Sequence, residues 1–315
     1  MKILVTGGLG FIGSHTVVEL QNQGFEVVII DNCANSHISV REGIKAITNK
    51  APEFYNLDLR IKGAVEEFFS KNTDIGGIIH FAAFKAVGES VDKPLSYYEN
   101  NICPLIYLLQ KVAHKRNFQF IFSSSCTVYG QAHKLPITED APVQTAASPY
   151  GNTKQIGEEI LRDVCKIHPE FNVISLRYFN PIGAHSSAKL GELPLGTPEN
   201  LVPYITQTAI GNRKVLSVFG TDYPTLDGTA VRDYIHVVDL AEAHVTALNK
   251  LLHQDTATNF DLYNIGSGKG NSVLEVIKTF EEVTNQKLPY TYAPRRSGDV
   301  AIAYADVEKA KKELG

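Results

Sequence analysis

The stretch Thr6-Gly7-Gly8-Leu9-Gly10-Phe11-Ile12-Gly13 constrains this chain more than any other. It follows the β-branched run Lys2 to Thr6 and opens a segment of helical length, so Gly7, Gly10 and Gly13 fall where a strand turns into a helix. Glycine lets the backbone turn sharply there and be approached closely, while the first N–H groups of the helix stay free. Further apolar runs at Phe25 to Ile30, Gly77 to Ala82, Phe118 to Ser123 and Asn172 to Tyr178 are separated by helical lengths. Nearly continuous apolar strands alternating with helices predict parallel pairing with both faces covered, a doubly wound α/β sheet.

In that setting the glycine turn predicts a dinucleotide site, with a pyrophosphate at the helix N-terminus. Asp31 closes the second strand, where a carboxylate accepts from ribose hydroxyls and repels a 2'-phosphate, so NAD is expected over NADP. Asp58, ending Phe54-Tyr55-Asn56-Leu57-Asp58, is a weaker candidate for the adenine end, since an Asp there also caps a loop.

From Asn180 the texture changes to Gly, Pro and Asn punctuation, followed by a short strand at Val215 to Phe219 and helices at Asp239 to Leu252 and Asn271 to Val283. Residues 1–180 are therefore expected to form the cofactor domain and 181–315 a smaller mixed α/β substrate domain. The chain is expected to return to the first domain near 234–240 and 262–267.

The remaining composition excludes more than it assigns. A net charge of -4 gives no basic excess for nucleic acid. Cys33, Cys103, Cys126 and Cys165 are widely spaced and no HxH or HxxxH pair occurs, so neither a disulfide framework nor a metal site is expected. The N-terminus lacks a long apolar run, which reads as a cytoplasmic chain with no membrane partner.

The chemical end is read from Tyr150-Gly151-Asn152-Thr153-Lys154, a phenol and an ammonium one helical turn apart. Tyr107 and Lys111 repeat that spacing, but inside the apolar run Ile106 to Leu109, where packing is expected. Tyr150 instead follows Ser148-Pro149, a helix start, and pairs with the serine run Ser123-Ser124-Ser125 at the carboxyl end of a strand, the edge at which such sheets bind ligands. Taking a proton from a sugar hydroxyl needs a base stronger than neutral phenol. Lys154 and a positive nicotinamide ring are expected to lower the Tyr150 pKa, with Ser125 binding the substrate oxygen.

With these motifs in place the chain resembles the extended short-chain dehydrogenase/reductase family, and within it the nucleotide-sugar 4-epimerases, along essentially its whole length. The resemblance is carried also by His80-Phe81-Ala82-Ala83-Phe84-Lys85-Ala86-Val87-Gly88-Glu89-Ser90, Ser123-Ser124-Ser125-Cys126-Thr127-Val128-Tyr129-Gly130, Arg177-Tyr178-Phe179-Asn180-Pro181 and Val231-Arg232-Asp233-Tyr234-Ile235-His236. It implies reversible inversion at C4 of a UDP-hexose such as UDP-glucose, through a 4-keto sugar, with NAD kept bound. It implies cofactor contacts at Gly7, Gly10, Phe11, Ile12, Gly13, Asp31, Asn32, Cys33, Asn35, Ser36, Asp58, Leu59, Phe81, Ala82, Ala83, Lys85, Asn100, Tyr150, Lys154 and Phe179. Substrate contacts map to Ser125, Asn180, Asn200, Leu201, Phe219, Arg232, Tyr234, Arg296 and Asp299, the two arginines as forks for a diphosphate.

One contrast with a sibling chemistry and two departures qualify what is carried over. Related 4,6-dehydratases have Thr-Asp-Glu where Ser125-Cys126-Thr127 stands, so the eliminating acid and base are missing and dehydration is not expected. The position reputed to gate the C2 substituent aligns with Ala303, whose small side chain predicts that N-acetylated UDP-hexosamines are accepted too; a register slip to Tyr304 reverses that expectation. Family members usually continue past Gly315 with a Trp and another helix. The resemblance also implies a homodimer through helices at Leu95 to Val112 and Tyr150 to Ile167, the latter with an Ile156, Ile160, Val164 stripe. Another nucleotide-sugar epimerase or oxidoreductase is the alternative enzyme, and a non-catalytic NAD-sensing module the alternative class.

Overall fold

The computed structural model describes residues 1–253, 258–296 and 298–315. Strand and helix alternate through β1 (Lys2–Thr6), α1 (Phe11–Asn22), β2 (Glu26–Asp31), α2 (Val40–Thr48), β3 (Glu53–Asn56), α3 (Lys62–Lys71), β4 (Ile75–His80), α4 (Val87–Asp92), α5 (Pro94–Val112), β5 (Phe118–Ser123), α6 (Pro149–Ile167) and β6 (Phe171–Tyr178). Then come β7 (Asn180–Ile182), α7 (Leu201–Ala209), β8 (Leu216–Phe219), β9 (Val231–His236), α8 (Val237–Leu252), β10 (Phe260–Ile265), β11 (Gly270–Ser272), α9 (Val273–Thr284), β12 (Tyr290–Ala293), β13 (Ile302–Ala303) and α10 (Glu308–Leu314).

Seven parallel strands form the main sheet in the order β10-β6-β5-β4-β1-β2-β3. Its strands are apolar at successive positions because both faces are covered. Ile3, Val5, Ile29, Ile79, Ile121 and Ile174 enter the core against α1 and α8, while Leu4, Val28, Ile78, Phe120 and Val173 enter the core against α3, α5 and α6. Each fully buried aliphatic side chain contributes about 1.5–3 kcal/mol, so removing either helical layer would expose several such contributions at once. Strand order reverses between β1 and β4, which opens a crevice at their carboxyl ends.

A smaller sheet joins β11, β9 and β13, with β7 also on β9, and a separate parallel pair is formed by β8 and β12. The segment expected to return near 262–267 supplies β10 of the main sheet. The one near 234–240 divides: Tyr234 and Ile235 stay in the smaller sheet on β7, whereas Val237 begins α8, which packs on α1. Among the described residues no helix is long and apolar enough to cross a membrane, and the four cysteines are free thiols.

Candidate active site

The crevice holds the glycine turn. Gly7 has φ +69 and gives its N–H to Ile30 O at 2.8 Å. A Cβ on Gly7 would meet Ala82 N at 2.8 Å, and one on Gly13 would meet Gly7 O at 2.3 Å, so α1 lies against the turn at a distance only hydrogen allows. Beside it, Asp31 Oδ2 accepts the Leu9 N–H at 3.1 Å, and Oδ1 accepts the Cys33 N–H and the Ser36 hydroxyl, each at 2.9 Å. A carboxylate has about four lone-pair sites, so Ser36 must turn away if Asp31 is to accept both hydroxyls of a ribose. The β2 strand runs one residue further than expected and carries Asp31 as its last residue. By contrast, β3 stops at Asn56, and Asp58 lies in the following turn, where hydrogen bonds from Arg60 hold its carboxyl below the usual carboxylate range.

Along the same crevice stand Gly10, Phe11, Ile12, Asn32, Asn35, Leu59, Phe81, Ala82, Ala83, Lys85, Asn100 and Phe179. Cys33 does not line it: with φ 56 it turns its side chain toward the α1 face of the core. A close-approach turn at a helix N-terminus, followed by a fixed carboxylate at the next strand end, fits the diphosphate and ribose of a dinucleotide.

Ser125, Tyr150 and Lys154 face the crevice from its far side. α6 starts as its sequence requires: Ser148 caps it by accepting the Gly151 N–H at 3.1 Å, and Pro149 takes the first helical position, where no N–H is needed. Tyr150 and Lys154 thereby share one face, both nearly fully buried. Lys154 Nζ donates to Ser123 O at 2.7 Å and lies 5.9 Å from the Tyr150 ring centroid. Burial pushes Lys154 down to about 8, with Glu158 opposing.

In the chain alone, with Lys154 but without the nicotinamide charge the expectation also invoked, the Tyr150 phenol stands above its ordinary value. Burial pushes the Tyr150 phenol well above its ordinary value, Tyr178 adds to the rise, and the Ser125 hydroxyl pulls the other way. Desolvation of the phenolate is the largest cause, and the Lys154 ammonium makes its short hydrogen bond to a backbone carbonyl instead of to the phenol.

On the substrate side, Asn180 and Asn200 line the crevice. Arg232, Arg296, Asp299 and Phe219 form a cluster of their own: Arg296 Nε lies 3.0 Å and Arg232 Nη2 3.7 Å from the Asp299 carboxylate, and the Arg296 guanidinium stands 5.2 Å above the Phe219 ring. Two guanidiniums on one carboxylate leave a net positive charge with unused donors, a disposition suited to a diphosphate. Burial raises Tyr234 to about 12 against the field of both arginines, and raises the crevice thiol Cys126 to about 11 against that of Arg232. Leu201 packs on the α7 core and Ala303 on Val128, Tyr129 and Phe179, so neither lines the crevice.

Residues 3–266 match the model of the NAD dependent epimerase/dehydratase family. The chain belongs to that family. A Bacillus subtilis family member, UDP-glucose 4-epimerase, is 52% identical over 315 residues, spanning 100% of this chain and 91% of that protein. A Drosophila melanogaster UDP-glucose 4-epimerase is 50% identical over 99% of this chain and 91% of its own length. Among solved structures, the Bifidobacterium longum UDP-glucose 4-epimerase in complex with NAD+ and UDP superposes with a TM-score of 0.94 at 48% identity, covering 100% of this chain and 92% of that one.

In this epimerase/dehydratase chain the sequence reading missed Glu192, whose Oε1 accepts the Asn200 amide at 2.6 Å and the Lys85 ammonium at 3.3 Å. Nothing in its Gly- and Pro-rich surroundings signals this, because the partners are brought by α7 and by the loop after β4. Tyr178 was missed as well, its hydroxyl paired with Ser123 at 2.9 Å; its place in the β6 run reads as strand packing.

Proposed function

We propose that this chain interconverts UDP-glucose and UDP-galactose by inversion at C4, with NAD held in the crevice by the Gly7 to Gly13 turn, Asp31, Lys85 and Lys154. The observation that carries the reading is the convergence of Ser125, Tyr150 and Lys154 on the crevice that holds the glycine turn. When bound, NAD supplies a reversible hydride acceptor for the sugar C4. Tyr150 takes the proton from the substrate O4 and returns it, and its buried phenol requires a cation in the crevice to ionise near neutral pH. Ser125 binds the same oxygen, and Lys154 holds its charge beside the phenol from the carbonyl of Ser123.

Arg232 and Arg296 take the diphosphate, Asp299 the uridine ribose, and Asn180 and Asn200 the hexose side. Elimination has no acid and base here: Cys126, a thiol at about 11, and the neutral Thr127 follow Ser125. Residues 1–180, completed by α8 and β10, serve as the cofactor domain and the remainder as the substrate domain. The small side chain at Ala303 extends the substrate range to UDP-GlcNAc and UDP-GalNAc. The active form is a cytoplasmic homodimer through α5 and α6.

Purified protein is incubated with UDP-galactose and separately with UDP-GalNAc, without added NAD, and the nucleotide sugars are resolved by chromatography. Both are expected to be converted, and Tyr150→Phe is expected to lose at least about a hundredfold in kcat. Failure on both substrates, even with NAD supplied, would refute the reading; conversion of UDP-galactose alone would refute the N-acetyl extension.

A further inference from the structure

One turn beyond Lys154, α6 buries a carboxylate that the reaction described above does not use. Glu158 is 1% exposed, and its partners come from α6, β6 and the turn after β5. Oε1 accepts the Ser124 hydroxyl at 2.7 Å, the Ser175 hydroxyl at 3.1 Å and Arg177 Nε at 2.9 Å; Oε2 accepts Arg177 Nη2 at 2.5 Å and Arg162 Nη2 at 3.0 Å. Arg177 is itself 1% exposed, with its guanidinium 4.7 Å above the Tyr129 ring. A hydrophobic pair would fill this space at less desolvation cost, so fold stability alone is a weak reason for a buried ion pair.

Its placement offers a better one. Ser124 stands between Ser123, whose carbonyl holds Lys154, and Ser125, which faces Tyr150. Arg177 precedes Tyr178, whose hydroxyl meets Ser123. We propose that Glu158 is a positioning residue of the reaction, tying the Ser123-Ser124-Ser125 turn to α6 and giving the buried Lys154 ammonium a negative charge on its own helix. This rests on the epimerase reading of Ser125, Tyr150 and Lys154.

The charges around Lys154 fit that role. His80 of β4 faces it and is pushed down to about 3 by burial, hence neutral; the Phe122 ring of β5 lies 5.0 Å from Nζ; Tyr150 lies on α6 and Tyr178 on β6, both phenols raised by burial. Burial pulls the Glu158 carboxyl upward, but Arg177 outweighs it and holds the group below the carboxylate range, so Glu158 stays ionised at neutral pH. Glu158 is thus the group that opposes the fall of Lys154. Neutralising it lowers the Lys154 pKa, and Arg177 without its partner pushes in the same direction.

Glu158→Gln and Ser124→Ala are compared with wild type in the full chain for UDP-galactose turnover against pH, and for NAD affinity by calorimetry. Glu158→Gln is expected to lose about tenfold in kcat at neutral pH, about twofold of it from the alkaline limb moving about one unit lower and the rest from the loosened serine turn, with KM within about twofold and NAD bound several-fold more weakly. Ser124→Ala breaks a single arm of the network and is expected to lose about threefold in kcat with the limb unmoved. A folded Glu158→Gln with the wild-type limb and NAD affinity overturns the proposal, and so does wild-type kcat in Ser124→Ala when Glu158→Gln does not fold. A wild-type chain inactive on UDP-galactose instead sinks the epimerase reading, and this proposal with it.

Discussion

Ala303 carries the proposed tolerance for N-acetylated sugars. In β13 it pairs with Arg232 of β9 and turns its methyl to Val128, Tyr129 and Phe179, whereas Tyr304 turns to Gly270, whose Cβ would lie 3.2 Å from the Tyr304 ring. The alternation of a strand thus separates the small residue from the large neighbour that a one-residue slip would substitute for it. Phe179 also lines the crevice, so a phenol at 303 is expected to crowd it from the buried side. Ala303→Tyr is expected to keep UDP-galactose turnover within about fivefold and to lose at least about tenfold on UDP-GalNAc, read as the ratio of kcat/KM values. An unchanged ratio removes Ala303 from specificity. At this scale the sequence was legible where a residue acts with close neighbours, as Tyr150 and Lys154 do on one helical face. It was silent where partners arrive from distant segments, as Glu192 meets Asn200 and Lys85.

At the scale of elements, legibility followed length and period. Five of the seven main-sheet strands announce themselves because their apolar runs fill two cores, and the runs at Lys2–Thr6 and Phe118–Ser123 have the predicted bounds; β3, four residues exposed at both ends, does not. The short strands β7, β11 and β13 carry two or three residues each, too few for any period to show, and they form only because β9 offers hydrogen-bonding edges. Within α1 the glycine spacing makes a graded prediction. Gly13→Ala places a methyl 2.3 Å from Gly7 O, a clash with backbone that only a shift of the turn relieves. NAD affinity is expected to fall at least about tenfold, measured by calorimetry, with loss of cofactor carried through purification. Gly88→Ala, in α4 with nothing within 4 Å of the added methyl, is expected to leave NAD affinity unchanged and raise stability by about 0.5–1 kcal/mol. Equal NAD affinity in the two variants would show that the close turn is not what holds the cofactor.

At the scale of the whole molecule, the two long helices carry more apolar surface than this one chain covers. Their inner faces bury Leu105, Leu108, Leu109, Val112, Leu161 and Cys165 against the sheet. Ile102, Ile106, Ile156, Ile160 and Val164 remain half-buried, and Leu95 and Ile167 are 81% and 75% exposed. Scattered apolar side chains are normal on a surface, but here they lie along two helices packed side by side, the arrangement the proposed homodimer would use for a self-complementary four-helix contact. A stable contact of that kind covers about 800 Å² on each partner, an area on the scale of two neighbouring helices of 19 residues. Sedimentation is expected to give twice the 34.6 kDa chain mass, and Ile156→Glu to move the species toward one chain. The crevice opens at the carboxyl ends of β1 and β4 and is lined by this chain's own residues, so the monomeric variant is expected to keep kcat within about threefold while losing thermal stability. A wild-type chain that sediments at its own mass with full turnover would leave the stripe as ordinary surface; an Ile156→Glu monomer without turnover would mean that dimerisation shapes the crevice from outside it.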